Sequence, residues 1–178
     1  MEYLMTYGWA LLVIVIVIAV LIYINPFKAP EQCVFDQAGF LCQKPILFAS
    51  GTLHATLVNG NQKNVFIMGM ACIKGRTAPN GDFTQWPVYT DVGKTLAYQT
   101  QIDDLGNFQN DTGTAMSVKC VDVTAGTNGI ATFPATPAIV LHAGDQFSGR
   151  IYIAYKYSDD PSTTVAKIVG ANLVTQAQ

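Results

Sequence analysis

Charge is scarce in this chain. Asp, Glu, Lys and Arg make up 12% of its 178 residues, against roughly 25% in an ordinary soluble domain. The net charge is −2, which excludes a strongly basic nucleic-acid binder that works by neutralising phosphates. It also argues against a disordered acidic tail. There are two histidines, so general bases and metal ligands are in short supply. No basic residue precedes Lys28, and Glu2 is the only charged side chain among the first 27 residues. The chain has no Gly-x-Ser-x-Gly elbow, no phosphate-binding Gly-Lys-Ser/Thr loop, no Gly-x-Gly-x-x-Gly and no His-Glu-x-x-His. The adjacent carboxylates Asp159 and Asp160 precede Pro161, where a turn explains them. The expectation is a protein that is not an enzyme and uses no cofactor or metal.

What the sequence does have is one long apolar run. Trp9 to Ile24 is 16 consecutive apolar residues, and Tyr3 to Gly8 adds only Thr6 as a frankly polar one. The resulting 22 residues would span roughly 33 Å as a helix, close to the ~30 Å of a bilayer core. Valine and isoleucine favour strands in water, but strands seldom exceed ~10 residues. Away from water a helix satisfies every backbone amide within the segment. The run has no polar face, so the helix is expected to be surrounded on all sides, by lipid or by a packed assembly. Asn25-Pro26 ends it, because the residue before proline avoids helical geometry.

Three readings of the run compete. A cleaved secretory signal would begin with basic residues and end at small ones, and Tyr23-Ile24-Asn25-Pro26 is a poor cleavage site. A plain membrane anchor is the simplest reading, although the only nearby base, Lys28, follows the helix. In the third, a short basic leader has been removed ahead of Met1, and the helix is both anchor and assembly element. Glu2 suits the third reading: an acid at the edge of an apolar helix is costly unless paired, and a processed α-amino group is an available partner. It equally suits a residue lodged among lipid headgroups.

The stretch Glu2-Tyr3-Leu4-Met5-Thr6-Tyr7-Gly8-Trp9-Ala10-Leu11-Leu12-Val13-Ile14 resembles the N-terminal helix of archaeal type IV pilins, the class III signal peptide family. The resemblance covers about the first 25 residues. It implies a leader cut by a prepilin peptidase and a mature helix packed in the core of a helical homopolymer. It also implies membrane insertion before assembly, and assembly at a membrane platform by an ATPase that this chain does not encode. The residues it nominates for anchoring and polymerisation are Glu2, Gly8, Trp9, Leu12, Ile16 and Val20. Gly8 and Ala10 are small enough to allow close helix approach, or are incidental. Burial in lipid and burial in a filament core gain nearly the same ~1.5–3 kcal/mol per large side chain. Close packing or an energy-consuming machine must therefore drive the transfer.

Beyond Pro30 the pattern changes. Thr52 to Val58 alternates apolar and polar residues, as a half-buried strand does. Asn59-Gly60-Asn61 is a turn signal, and Val65–Ile73 is the return strand. Further strands are expected at 94–102, 115–123, 130–133, 138–141, 150–157 and 164–174, with a weaker one at 86–90. Short strands at this spacing predict an antiparallel β-sandwich. Along 151–157 the alternation of Tyr152, Ala154 and Lys156 with Ile151, Ile153, Tyr155 and Tyr157 reads as core or subunit packing rather than a binding stripe.

Cys33, Cys42, Cys72 and Cys120 allow three full pairings. We favour Cys33–Cys42, closing a short loop after the helix, and Cys72–Cys120, joining two strands; free buried thiols are the alternative. No Cys-x-x-Cys exists, and His54 and His142 fit no zinc spacing. Asn110-Asp111-Thr112 is the only Asn-x-Ser/Thr sequon with x other than proline, a glycosylation candidate in an exported protein. Asp103, Asp104, Asn107, Asn110 and Asp111 supply oxygen ligands of the kind calcium takes, but match no EF-hand spacing and read as a solvated turn.

The fold class expected is α+β: a hydrophobic helix (1–26), a linker (27–32) and an all-β, immunoglobulin-like sandwich head (33–178). The function expected is a pilus subunit for surface adhesion, in an extracellular filament. The alternatives are a membrane-anchored extracellular binding module that never polymerises, and an archaellin-like motility filament subunit.

Overall fold

A computed structural model describes residues 2–24, 30–75, 92–122, 124–125, 131–132, 139–161 and 165–178. The chain divides into two compact units, residues 1–30 and 31–178. The first is α1 (Glu2–Ile24), 23 residues long and the only helix among the described residues. Every described side chain along it, from Tyr7 to Ile24, is exposed. Its valines and isoleucines lose some χ1 freedom in a helix, a small cost beside leaving backbone amides unsatisfied away from water.

The second unit is mostly strand. One sheet runs β1 (Gln32–Phe35), β13 (Lys167–Gln176), β12 (Gln146–Tyr157), β4 (Val65–Lys74), β5 (Lys94–Leu96), with β9 (Cys120–Val121) also on β4. A second runs β2 (Phe40–Leu47), β3 (Leu53–Asn59), β6 (Gln101–Ile102). Two small hairpins stand apart, β7 (Phe108–Gln109) with β8 (Ala115–Met116), and β10 (Thr124–Ala125) with β11 (Ala131–Thr132). Among the described residues all pairings are antiparallel except β4 with β9 and the single bridge Leu47↔Ala177.

Period-two patterning explains the layering. Leu53, Ala55 and Leu57 of β3 enter the same core cluster as Phe147, Ile151, Ile153 and Tyr155 of β12 and Val169, Ala171 and Leu173 of β13. The two sheets therefore face one another across one core. A β-bulge sets the phase of β4. Ala154 pairs with Gly69 but Tyr155 with Ile67, leaving Met68 as the extra residue. Val65 and Ile67 before the bulge, and Met70 and Cys72 after it, consequently all reach that core. Ala71 and Ile73 join Tyr152, Ala154 and Val121 in a second cluster, so both faces of β12 are packed, as expected of its aromatic alternation. Gly149 has no room for a side chain, since a Cβ there would meet the Ile73 carbonyl and the Phe147 ring.

Both disulfides close as favoured from the sequence, Cys33–Cys42 and Cys72–Cys120. The first joins β1 to β2. The second joins the parallel partners β4 and β9, where Cys72 is directly opposite Cys120.

Several strand expectations need correction. The strand expected at 94–102 is two: β5 pairs with β4, β6 pairs with β3, and a turn at 97–100 carries the chain between sheets. Gln99 takes a φ of +60° there, which no strand residue adopts. The strand expected at 115–123 is likewise β8 and β9, separated by residues that bond irregularly. Val118 donates to the Leu105 carbonyl and accepts from the Leu53 amide. Residues 139–141 form no strand. Four strands were not expected, β1, β2, β7 and β10. In β2 a bulge falls between Gln43 and Ile46, where Lys44 has a φ of +50° and Pro45 has no amide to donate. The weak strand at 86–90 lies outside the described residues, as do 123, 130, 133, 138 and 164.

Candidate assembly helix and head surface

Tyr7–Ile24 is an 18-residue stretch long and apolar enough to cross a membrane, with none of it buried within the protein. At about 100° per residue, Gly8, Leu12, Ile16 and Val20 climb one side of α1, with Trp9 beside Leu12 and Ile16. Trp9, Leu12, Ile16 and Val20 are 68, 57, 53 and 48% exposed, and nothing lies within 4 Å of where a Gly8 Cβ would stand. The remaining sides carry Leu11, Ile14, Val15, Ile18, Leu21 and Ile22, equally exposed and equally apolar. No residue of the Tyr7–Ile24 stretch is therefore singled out by polarity, and the five form a site only through what packs against them. Glu2 opens α1; its side chain lies outside the described part.

The head offers few groups with chemical potential. His54 Nδ1 lies 2.9 Å from the Asp104 carboxylate, while Asp104 also accepts from the Gly106 amide at 2.8 Å and the Phe48 ring stands edge-on to the imidazole. This is the orienting half of a base-and-nucleophile arrangement. The hydroxyls on the strand and just before it are occupied elsewhere: Thr56 Oγ1 donates to the Asp103 carbonyl and Thr52 Oγ1 accepts from Ser50. The pairing went unread in the sequence because fifty positions separate its members.

The oxygen-rich segment is dispersed. Asp103 accepts from Gln101 Nε2, Asp104 is held by His54 and Gly106, and Asp111 accepts from the Thr95 amide at 2.8 Å. Burial pushes the Asp111 carboxyl up, but the Thr95 hydrogen bonds and the charge of Lys94 outweigh it and hold it below the ordinary aspartate value. Among the described residues no group of three or more His, Cys, Asp or Glu could hold a metal ion. Asp159 and Asp160 sit in a turn, as expected. Asp159 pairs with Lys63 at 2.7 Å, and Asp160 accepts from the Tyr157 amide. Lys63 and Lys167 stand 5.6 and 4.0 Å from the Tyr157 ring centre.

Of the shallow hollows among the described residues, two bear on the groups above. One, of about 410 Å³, lies over the Cys33–Cys42 bridge and is walled by Val34, Phe35, Phe40 and Leu41. The other, of about 420 Å³, is bordered by Lys94, Gln101, Asp103, Asp104, Asn107 and Gln109. Asn110 occupies the turn between β7 and β8, where its Oδ1 accepts from Thr112 and Thr114.

No protein-family model matches the chain, and no curated protein or solved structure matches it either.

Proposed function

We propose that the chain is a structural subunit of an extracellular archaeal type IV pilus, inserted in the membrane before assembly and polymerising through α1, with adhesion as the filament's task. The observation that carries this is the helix: 18 consecutive residues without a polar side, none buried within the protein, contiguous with the pilin-like stretch Glu2–Ile14. Such a surface requires lipid or other helices around it. A head-to-tail contact that does not close into a ring propagates as a filament, and a low-charge head suits close neighbours. The prepilin peptidase, assembly ATPase and membrane platform are the partners this reading requires. The head is read as an immunoglobulin-like sandwich; its two antiparallel sheets over one core and its two disulfides favour that, while the parallel β4–β9 pair departs from it. Disulfides persist in oxidising compartments, which favours a head outside the cytoplasm.

A second reading is a membrane-anchored binding module, favoured by the match of the 18-residue stretch to one bilayer crossing. Electron microscopy of filaments sheared from the native cell surface separates the two. Filament density that traces residues 2–24 as a helical core under β-rich heads supports the pilus subunit. Recovery of the protein solely as a monomer in the membrane fraction overturns it and leaves the anchored module.

A further inference from the structure

We propose that Asn110 carries an N-linked saccharide, transferred to it from a lipid-phosphate carrier; this rests on the reading that the head lies outside the cytoplasm. Asn110-Asp111-Thr112 is the one acceptor tripeptide in the chain, and the fold places it in the turn between β7 and β8, with Asn110 itself half-buried. Asp111, Thr112, Gly113 and Thr114 are all exposed. The turn is closed by its own backbone, Asn110 donating to the Thr114 carbonyl and Gly113 to the Asn110 carbonyl, both at 3.0 Å. It is pinned to the head by Asp111, whose amide donates to the Gly93 carbonyl at 3.0 Å and whose carboxylate takes the Thr95 amide. Gly113 holds a φ of +82° with nothing within 4 Å of a Cβ placed there, so the space beside the turn is open.

The two ends of the Asn110 amide have different fates. Oδ1 accepts from the Thr112 amide at 3.1 Å, the Thr112 hydroxyl at 2.7 Å and the Thr114 amide at 2.7 Å. Nδ2 donates to nothing among the described residues. Asn59, Asn61 and Asn172 differ, each giving Nδ2 to an oxygen of the protein. Glycosylation forms a bond from Nδ2 to the anomeric carbon and breaks the bond from that carbon to the carrier phosphate. The phosphate leaves with the bonding pair, and one Nδ2 proton passes to the transferase. No electron is exchanged. The product keeps Oδ1 and one N–H, so all three hydrogen bonds that shape the turn survive.

The test uses protein from the cells that make it. Trypsin releases residues 95–119 as one peptide, bounded by Lys94 and Lys119 and free of internal Lys or Arg. Mass spectrometry is expected to find this peptide bearing a saccharide on Asn110, with exposed Asn107 in the same peptide unmodified. Asn110→Gln and Thr112→Ala are expected to lose the modification, and Thr112→Ser to keep it. Circular dichroism and disulfide mapping of each variant separate loss of the acceptor from loss of the fold. Labelling of intact cells with a membrane-impermeant amine reagent reports on Lys63, Lys74 and Lys119. A labelled head with peptide 95–119 wholly unmodified overturns the saccharide and leaves the external head standing. An unlabelled head with an unmodified peptide overturns both.

Discussion

Replacing Asn59 by alanine removes a side chain that is fully buried and tied at both ends. Its Nδ2 faces the carbonyls of Lys63, Leu96 and Ala97 at 3.0, 3.1 and 3.0 Å. Its Oδ1 accepts from the amide and side chain of Asn61 at 3.0 and 3.1 Å. One amide thus holds the end of β3, the 60–64 turn and the chain leaving β5. A buried polar group left without a partner costs about 1–3 kcal/mol. The Leu96 carbonyl lies in the buried part of the network, whereas the others can partly rehydrate, so the expected loss is about 3 kcal/mol. For a head of this size that lowers Tm by roughly 9 °C. Asn59→Asp is expected to lose more at neutral pH, because it places a buried carboxylate against three carbonyl oxygens. Its folded-state pKa is thereby raised, so acidification should recover part of the loss. The assay is thermal and urea unfolding of the full chain in detergent, followed by circular dichroism, with exposed Asn107→Ala as a control expected within about 0.5 kcal/mol of the parent. A loss below about 1 kcal/mol for Asn59→Ala, or an Asn59→Asp variant no worse than alanine at neutral pH, would refute the assignment.

Other outcomes are expected at separate sites. Ile16→Asp or Val17→Asp places a charge in mid-helix at about 2.5–3.5 kcal/mol for insertion; filaments should fail while the head keeps its circular dichroism, and normal filaments would count heavily against the pilus subunit. Removing Cys72–Cys120, with a sequence separation of 48, should cost about 4 kcal/mol on the loop-entropy estimate, and removing Cys33–Cys42, separation 9, about 3 kcal/mol; unfolding of the two double-alanine variants measures the order. Asp111 has its folded pKa depressed, so its contribution is present above the ordinary aspartate value and is lost as pH falls through the folded one. Stability of the parent should therefore fall more steeply than that of Asp111→Asn in titrations below about pH 4.

The elements legible in the sequence were those whose own residues set their geometry. The sixteen-residue apolar run admitted little but a helix; β3 carried apolar–polar alternation, β12 an alternation of its own along 151–157, and β4 and β13 were apolar-rich runs. The disulfide pairing followed from loop length and strand positions. What escaped depended on partners far along the chain. β2 is broken by a bulge at Lys44–Pro45, yet is held because Thr175 donates to the Pro45 carbonyl and the Gln178 amide to the Leu47 carbonyl. Residues 94–102 are apolar enough for one strand, but Val65–Ile67 and Leu57–Val58 claim opposite ends of the segment for different sheets. Asn59 read only as a turn residue, since nothing local announces that residues near 97 will come to it. His54 and Asp104 were separately visible and jointly invisible for the same reason.

If the chain does polymerise, the helix and the head must contribute differently to the decision to do so. α1 presents apolar side chains on all sides, so exchanging lipid for neighbouring helices leaves the hydrophobic gain nearly unchanged. What remains is close packing and whatever the heads contribute. The head has what the helix lacks: directional polar groups, a turn fixed by Asn110 and Asp111, and an apolar hollow walled by Val34 and Leu41. Helix substitutions that stay apolar, such as Ile16→Leu, should therefore change filament yield little, whereas Val34→Lys and Leu41→Lys should reduce it without disturbing membrane insertion. Val34 and Leu41 are 56 and 57% exposed, so their replacement leaves the core intact and isolates the head's share. Counting filaments per cell against membrane-inserted protein measures the ratio. An unchanged ratio for both lysine variants would place the specificity of assembly in the helix after all.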